Sequence, residues 1–215
     1  MFAVVMSDCV EQNISRPQRV ALFNSGTNWP QTEIACFGGG PFWCMESIFL
    51  RLPSVISVTS GFAGGHVENP AYYEVCNGKT GHAEVVQIEF DPAKISYEKL
   101  LAVFWHAHDP TRFNNALDVG PQYRSIILYR DENQKLMASL SKSQAQNRFA
   151  HPIVTEIAPF KKFHKADARH QGYYDSNIEA PYCQIIIAPR LQALENNGVI
   201  PKKSETDFLR KPRAA

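Results

Sequence analysis

Hydrophobic and polar positions along the chain follow two alternating periods, one typical of strands and one typical of helices. Short apolar or alternating segments predict strands over residues 33–37, 55–62, 83–90, 125–129, 153–157 and 183–187. Apolar positions three and four residues apart predict helices over residues 45–50, after the capping residue Ser96 towards His108, and from Asp131 through Leu140. Strands and helices alternating at this density predict an α/β (α+β) fold, with a mixed sheet covered by helices.

The two ends of the chain lack these periods. Residues 1–30 mix polar residues with Pro17, Gly26 and Pro30, which predicts an extension ahead of one domain over residues 31–200. Residues 201–215 are polar and predict a C-terminal tail. The apolar start has no basic residue before it and acidic residues soon after it, so we expect no signal peptide.

Composition narrows the class of protein. A chain of 215 residues, 44% of them hydrophobic, is typical of a globular protein with one core. Its net charge of +1 gives no reason to expect a nucleic-acid or membrane partner. The five cysteines are odd in number and irregularly spaced, without a C-x-x-C pair or a Cys/His cluster. We therefore expect free thiols, a cytoplasmic location, and neither a metal nor a cofactor.

Residues 38–44, with the sequence Gly-Gly-Gly-Pro-Phe-Trp-Cys, lie between the first predicted strand and the first predicted helix. The glycines allow a sharp turn and a close approach of the backbone to a ligand. The N-terminal end of the helix favours an anion or a thiolate. Phe42 and Trp43 could form the wall of an apolar pocket. Pro41 stands at the start of the helix, where a proline is tolerated because its missing N–H would be unpaired.

Four further groups of residues carry polar and aromatic side chains in glycine- and proline-containing segments, at 64–73, 78–84, 109–111 with 118–125, and 164–174 with 181–184. Together with residues 38–44 they resemble the A-type methionine sulfoxide reductases, from about residue 34 to residue 191. Several separated motifs in the same order make the resemblance specific. It implies reduction of methionine S-sulfoxide, in proteins or as the free amino acid, and we expect a two-layer sandwich of the ferredoxin-like type.

The resemblance also implies a set of site residues. They are Glu84 as the acid, Tyr72 and Tyr123 as hydroxyls that bind the sulfoxide oxygen, and Asp118 as a supporting carboxylate. Phe42 and Trp43 would hold the S-methyl group. These residue types suit the reaction, because a sulfoxide sulfur accepts a thiolate only when its oxygen is protonated or strongly hydrogen-bonded.

Each of these residues also has an ordinary structural interpretation. A glutamate in an alternating strand, such as Glu84, most often faces water. Tyr72 and Tyr123 could lie at the rim of the core with satisfied hydroxyls. Asp118 could bond its own backbone in a turn, and Phe42 could be a core residue alone.

The residue before the Phe-Trp pair is the attacking cysteine in the family, and here it is Pro41. Cys44 follows about one helical turn (~4.5 Å) further along the same face, so it is the predicted attacking thiol. In the alternative interpretation, Cys44 is a small buried residue and the chain binds oxidised methionine without reducing it. Arg169 is a further departure, at a position where an aromatic residue is common.

Turnover by a thiol leaves a sulfenic acid, which a second thiol reduces through a disulfide. Cys183 lies in an apolar segment, which favours a structural role. Cys9, in the N-terminal extension, could also reach the pocket. Otherwise thioredoxin or another external thiol would complete the cycle.

Overall fold

The computed structural model describes residues 32–112 and 118–202; the predicted extension and residues 203–215 of the predicted tail lie outside these ranges. Within them, six strands form one sheet in the order β5-β4-β1-β3-β2-β6. β4 pairs with β5 in parallel, and the other neighbouring strands pair antiparallel, so the sheet is mixed. The strands are β1 Glu33–Gly38, β2 Val55–Ala63, β3 Ala83–Phe90, β4 Ile126–Tyr129, β5 Glu156–Pro159 and β6 Phe163–Lys165.

Helices join and cover these strands, as the sequence predicted. They are α1 Phe42–Phe49, α2 Tyr72–Cys76, α3 Tyr97–Ala107, α4 Glu132–Ala145, α5 Tyr173–Ser176 and α6 Ala188–Asn196. Side-chain oxygens of Ser96 and Asp131 accept backbone N–H groups at the starts of α3 and α4, which confirms both predicted caps. None of the helices between residues 32 and 112 or between 118 and 202 is long and apolar enough to cross a membrane.

The sheet separates two apolar clusters of unequal size. Phe37 and Ile88 face the larger cluster, which includes the buried sides of α1, α3, α4 and α6. Cys36, next to Phe37, and Val85, three positions before Ile88, face a smaller cluster on the opposite side. This alternation is what a period of two residues produces in a sheet with both faces covered. The mixed sheet covered by helices is therefore confirmed.

Two predicted strands differ from the structure. The segment 183–187 is wrong as a strand, since Cys183–Ile187 forms a π-helical turn that continues into α6. A short apolar run does not distinguish a strand from a helix by its period, and here Cys183 and Ile187 are buried while Ile185 is exposed. The strand predicted at 153–157 instead occupies Glu156–Pro159, because it pairs in register with β4 from Ile126 onwards.

Candidate active site

The turn between β1 and α1 brings the start of the helix against β3. A Cβ atom at Gly38 would lie 2.7 Å from the backbone oxygen of Glu84, so only glycine fits there. Gly40 has a φ of 96°, which also favours glycine. Pro41 then precedes α1 with a φ of −60°, the value that its ring imposes. The chain thus enters the helix directly beside β3.

A small cavity of about 60 Å³ opens at this turn. Eight residues line it: Pro41, Phe42, Trp43, Tyr72, Glu84, Asp118, Tyr123 and Tyr182. They include every site residue that the sequence analysis named except Cys44. The cavity has room for a group of a few heavy atoms rather than for a large ligand.

Glu84 is the buried acid of the cavity. It lies near the start of β3 with only 2% of its surface exposed, and one carboxylate oxygen accepts the backbone N–H of Phe42 at 3.0 Å. Burial raises the pKa of Glu84 to about 8, against the lowering effect of that hydrogen bond. The carboxyl group is therefore mostly protonated at neutral pH and can donate a proton to a ligand in the cavity.

Two tyrosine hydroxyls face the same space. Burial raises the pKa of Tyr123 to about 12, and burial also raises the pKa of Tyr72 well above its usual value. Tyr123 is held at the end of a 3₁₀ turn, Pro121–Tyr123, whose last carbonyl accepts the N–H of Gly40 at 3.1 Å. Both hydroxyls stay protonated at physiological pH, so each can donate a hydrogen bond to an oxygen atom in the cavity.

Aromatic rings form the rest of the wall. The Trp43 ring stacks on Tyr173 with centroids 3.7 Å apart and planes 8° apart, and it meets Tyr182 edge-on at 5.9 Å. Phe42 is buried against Phe62 at 5.7 Å. These contacts hold the two side chains in one orientation each, so the wall is rigid and apolar.

Cys44 does not line the cavity. Tyr182, to which the sequence analysis assigned no role, lines the cavity and contacts Cys44. The Tyr182 hydroxyl is 3.8 Å from the Cys44 sulfur and donates a hydrogen bond to Asp118 at 3.2 Å. Burial raises the pKa of Cys44 to about 11, although the charge of Arg190 and the contact with Tyr182 lower it. Cys44 is thus a protonated thiol at neutral pH, connected to the cavity through Tyr182.

Sequence reasoning placed Tyr182 in the motif 181–184 but found no function for it. The only signal available was its position in that motif, since a tyrosine beside an apolar run is usually a packing residue. Asp118, in contrast, accepts the Tyr182 hydroxyl, and burial raises the pKa of its carboxyl. The hydrogen bond from Tyr182 links Asp118 to the cavity wall.

The other cysteines in the described ranges are free thiols. Cys36 and Cys183 are buried, and burial raises the pKa of Cys36 to about 12. Cys76 is partly exposed at the end of α2, where it hydrogen-bonds with Tyr72. Among residues 32–112 and 118–202 no group of three or more His, Cys, Asp or Glu side chains could hold a metal ion.

A second buried carboxyl group ties the cavity wall to the far end of the chain. Glu46, on α1, accepts the backbone N–H of Gly172 at 3.0 Å, next to the Tyr173 ring that supports Trp43. Burial raises the pKa of Glu46 from its ordinary value of 4.5 to about 7. Folding therefore favours the protonated form of this group.

The Glu46 shift predicts a pH-dependent stability. The contribution of protonated Glu46 to the free energy of unfolding is fully present below pH 4.5. It is lost as the pH rises through 7, where the buried carboxyl group must ionise. We expect Glu46→Gln, which keeps an oxygen acceptor for Gly172, to reduce the loss of unfolding free energy between pH 5 and pH 8 by about 2 kcal/mol. Urea unfolding at both pH values measures this, with Glu98→Gln as an exposed control. An equal loss in the Glu46→Gln variant and the parent would contradict it.

The amino-acid sequence of this chain is similar to those of known proteins. A family model described as peptide methionine sulfoxide reductase matches residues 33–202. A peptide methionine sulfoxide reductase MsrA of Sulfolobus acidocaldarius is 46% identical over 166 residues, which cover 77% of this chain and 94% of that protein. The MsrA of Leptospira borgpetersenii is 44% identical over 172 residues, which cover 80% of this chain and 98% of the relative.

Solved structures give a similar result. The reduced form of Mxr1 from Saccharomyces cerevisiae superposes with a TM-score of 0.67 at 28% identity, over 71% of this chain and 89% of that one. Methionine sulfoxide reductase A of Corynebacterium diphtheriae superposes with a TM-score of 0.64 at 30% identity, over 71% of this chain and 78% of that one. The similarity therefore extends over most of the described residues.

Proposed function

The chain belongs to the peptide methionine sulfoxide reductase family, and from that premise we propose how its cavity binds and reduces an oxidised methionine. Its activity is the thiol-dependent reduction of methionine sulfoxide, which repairs oxidised proteins. The alternative of a chain that binds the sulfoxide without reducing it finds no support in these similarities. The proposal concerns the residues that carry out the reaction.

The sulfoxide oxygen is bound by three proton donors. Glu84, Tyr72 and Tyr123 line one cavity, and all three hold their protons at neutral pH. The S-methyl group then lies against Phe42 and Trp43, whose rings are fixed by their neighbours. Apolar walls exclude water and strengthen the hydrogen bonds to the oxygen, which gains negative charge as the sulfur is attacked.

Reduction proceeds by attack of a thiolate on the sulfur atom. As the sulfur–sulfur bond forms, Glu84 transfers its proton to the oxygen, and the sulfur–oxygen bond breaks so that the oxygen leaves as hydroxide. The hydroxide then bonds to the cysteine sulfur, which breaks the sulfur–sulfur bond and releases methionine. The products are methionine and a cysteine sulfenic acid, so the thiol is oxidised by two electrons and the sulfoxide is reduced by two. A second thiol then forms a disulfide with that cysteine and releases water.

We assign the attacking thiol to Cys44, with Asp118 as the supporting carboxylate that holds Tyr182 by a hydrogen bond. Because Tyr182 stands between the thiol and the cavity, its side chain has to move before the sulfur atoms meet. A high thiol pKa makes this step slow at neutral pH. The external reductant that regenerates the thiol is thioredoxin or a similar dithiol, and the substrate is a polypeptide or free methionine sulfoxide.

One observation carries the proposal: a buried, protonated Glu84 shares a cavity with two tyrosine hydroxyls and an aromatic wall. Two finer assignments accompany it. The strand order β4-β1-β3-β2, with α1 and α3 as crossover helices, supports a two-layer sandwich of the ferredoxin-like type. The free cysteines of residues 32–112 and 118–202 are in keeping with the reducing environment of the cytoplasm.

Replacing Cys44 tests the assignment of the thiol. With dithiothreitol as reductant, we expect the protein to convert a methionine S-sulfoxide peptide to the methionine peptide, and Cys44→Ser to lower that rate at least about tenfold because the nucleophile is removed. Chromatography of the two peptides measures the rate. Cys183→Ser, at a second fully buried cysteine, serves as the matched control. An unchanged rate in Cys44→Ser would rule out Cys44 as the nucleophile.

A further inference from the structure

A second, larger cavity adjoins the first on the outer side of Tyr72. Its volume is about 220 Å³, and its lining consists of Phe62, Pro70, Ala71, Tyr72, Tyr73, Lys165, Ala166, Asp167 and Arg169. Tyr72 lines both cavities, so they adjoin at its side chain. We call this second cavity the outer groove. Nothing in the reaction described above uses it.

The charged side chains of the outer groove are mainly basic. Lys165 and Arg169 face it together with one acidic residue, Asp167. Arg169 and Asp167 form an ion pair at 3.5 Å in which both side chains are about 70% exposed, so their mutual attraction is weak. A guanidinium has five N–H donors, and one exposed partner leaves most of them available.

Arg169 is directed towards the Tyr72 ring, which lines both cavities. Its guanidinium carbon lies 6.0 Å from the centre of the Tyr72 ring, and on that ring His170 also stacks, with centroids 4.5 Å apart. The position of Arg169 is therefore tied to the residue whose hydroxyl faces the sulfoxide. A cation so placed can bind a charged group on a ligand that occupies both cavities at once.

Two cavities that share the Tyr72 side chain can be occupied by neighbouring residues of one polypeptide. Successive residues of an extended chain are ~3.5 Å apart, and their side chains reach several ångströms further. With the oxidised methionine side chain in the first cavity, a neighbouring residue of the same chain passes over Tyr72 into the outer groove. Phe62, Pro70 and Ala71 supply an apolar surface for its methylene groups, while Arg169 and Lys165 meet its charged end.

We propose that the outer groove binds an acidic residue adjacent to the oxidised methionine, so that the preferred substrates are polypeptides with Asp or Glu beside methionine sulfoxide. This rests on the proposed function, since the groove acts only together with the sulfoxide cavity. Arg169 is the residue that determines this specificity. Free methionine sulfoxide, which has no neighbouring residue, does not use the groove.

Binding measurements test the proposal without requiring turnover. Isothermal titration calorimetry with the full chain, without reductant, compares capped pentapeptides Gly-X-Met(O)-X-Gly in which X is Glu, Gln or Lys. We expect the Glu peptide to bind about three to five times more tightly than the Gln peptide, the range of one exposed ion pair, and the Lys peptide to bind most weakly. The preference should shrink as sodium chloride rises from 20 to 200 mM.

Two variants separate a specific contact from a general charge effect. Arg169→Gln should bring the Glu-to-Gln ratio close to one, whereas Lys99→Gln, an exposed lysine on α3 outside both cavities, should keep it. N-acetyl-methionine S-sulfoxide methylamide tests the first cavity alone. If the parent protein binds it but shows no preference among the pentapeptides, the groove proposal is wrong and the proposed function stands. If the parent binds no sulfoxide ligand, both are overturned.

Discussion

Replacing Pro41 by cysteine is expected to raise the rate of methionine sulfoxide reduction at pH 7.5 by about two orders of magnitude. Cys44, with a pKa of about 11, has about three thiolates per ten thousand molecules at this pH. A thiol at position 41 would line the cavity at the start of α1, where helix N-termini lower thiol pKa values to about 7 or below. The gain in thiolate outweighs its lower intrinsic reactivity.

The pH profile distinguishes the two thiols. With Cys44 as nucleophile, the rate should be greatest between pH 8 and 11, where the thiolate increases and protonated Glu84 decreases. With a cysteine at position 41, the optimum should move to near neutral pH. Initial rates with a methionine S-sulfoxide peptide and dithiothreitol between pH 6 and 10 measure both effects, and Pro41→Ala controls for the loss of the ring. A Pro41→Cys protein without turnover would contradict the reduction mechanism proposed for this cavity.

Replacing the Glu84 carboxyl group, which supplies the proton, should have the second large effect on the rate of reduction. In the Pro41→Cys background, where turnover is fast, Glu84→Gln is expected to lower kcat/KM at least about a hundredfold, because general acid catalysis typically contributes this much. The activity of the Pro41→Cys protein should fall as the pH rises through about 8, where Glu84 loses its proton, and this decline should disappear when Glu84→Gln is added. Steady-state rates from pH 6 to 10 provide the measurement.

A matched control lies on the same strand. Glu89→Gln makes the same chemical change on β3 at a partly exposed residue that accepts a hydrogen bond from Ser57, outside the cavity. In the same Pro41→Cys background, its rate and pH profile should equal those of the Pro41→Cys protein. If Glu84→Gln retains the decline near pH 8, a different group protonates the sulfoxide oxygen and the assignment of Glu84 is wrong.

Local signals in the sequence predicted much of the fold. Ser96 and Asp131 identified the starts of α3 and α4, because a cap depends only on residues within the same turn. The alternation of residues 83–90 predicted β3 with its bounds. The strand prediction for 183–187 was wrong, because a five-residue segment with four apolar positions satisfies either period and the choice is made by the packing of distant elements.

The candidate site was predictable only in part, because some of its contacts join residues that are distant in the sequence. Residue types and motif order identified the side chains that share the cavity, among them Glu84 and Tyr72. The burial of Cys44 and the position of Tyr182 between it and the cavity depend on contacts between residues 138 apart in the chain. A periodicity within one segment contains no information about such contacts.

This last contact has a consequence for biosynthesis. Because Tyr182 follows the last strand of the sheet, the cavity wall is incomplete until nearly the whole domain has left the ribosome. A nascent chain that ends after β6 would contain Glu84, Tyr72 and Tyr123 but lack one side of their enclosure. Capture of oxidised methionine should thus begin only after residue 182 has left the ribosome and has packed against the rest of the cavity wall.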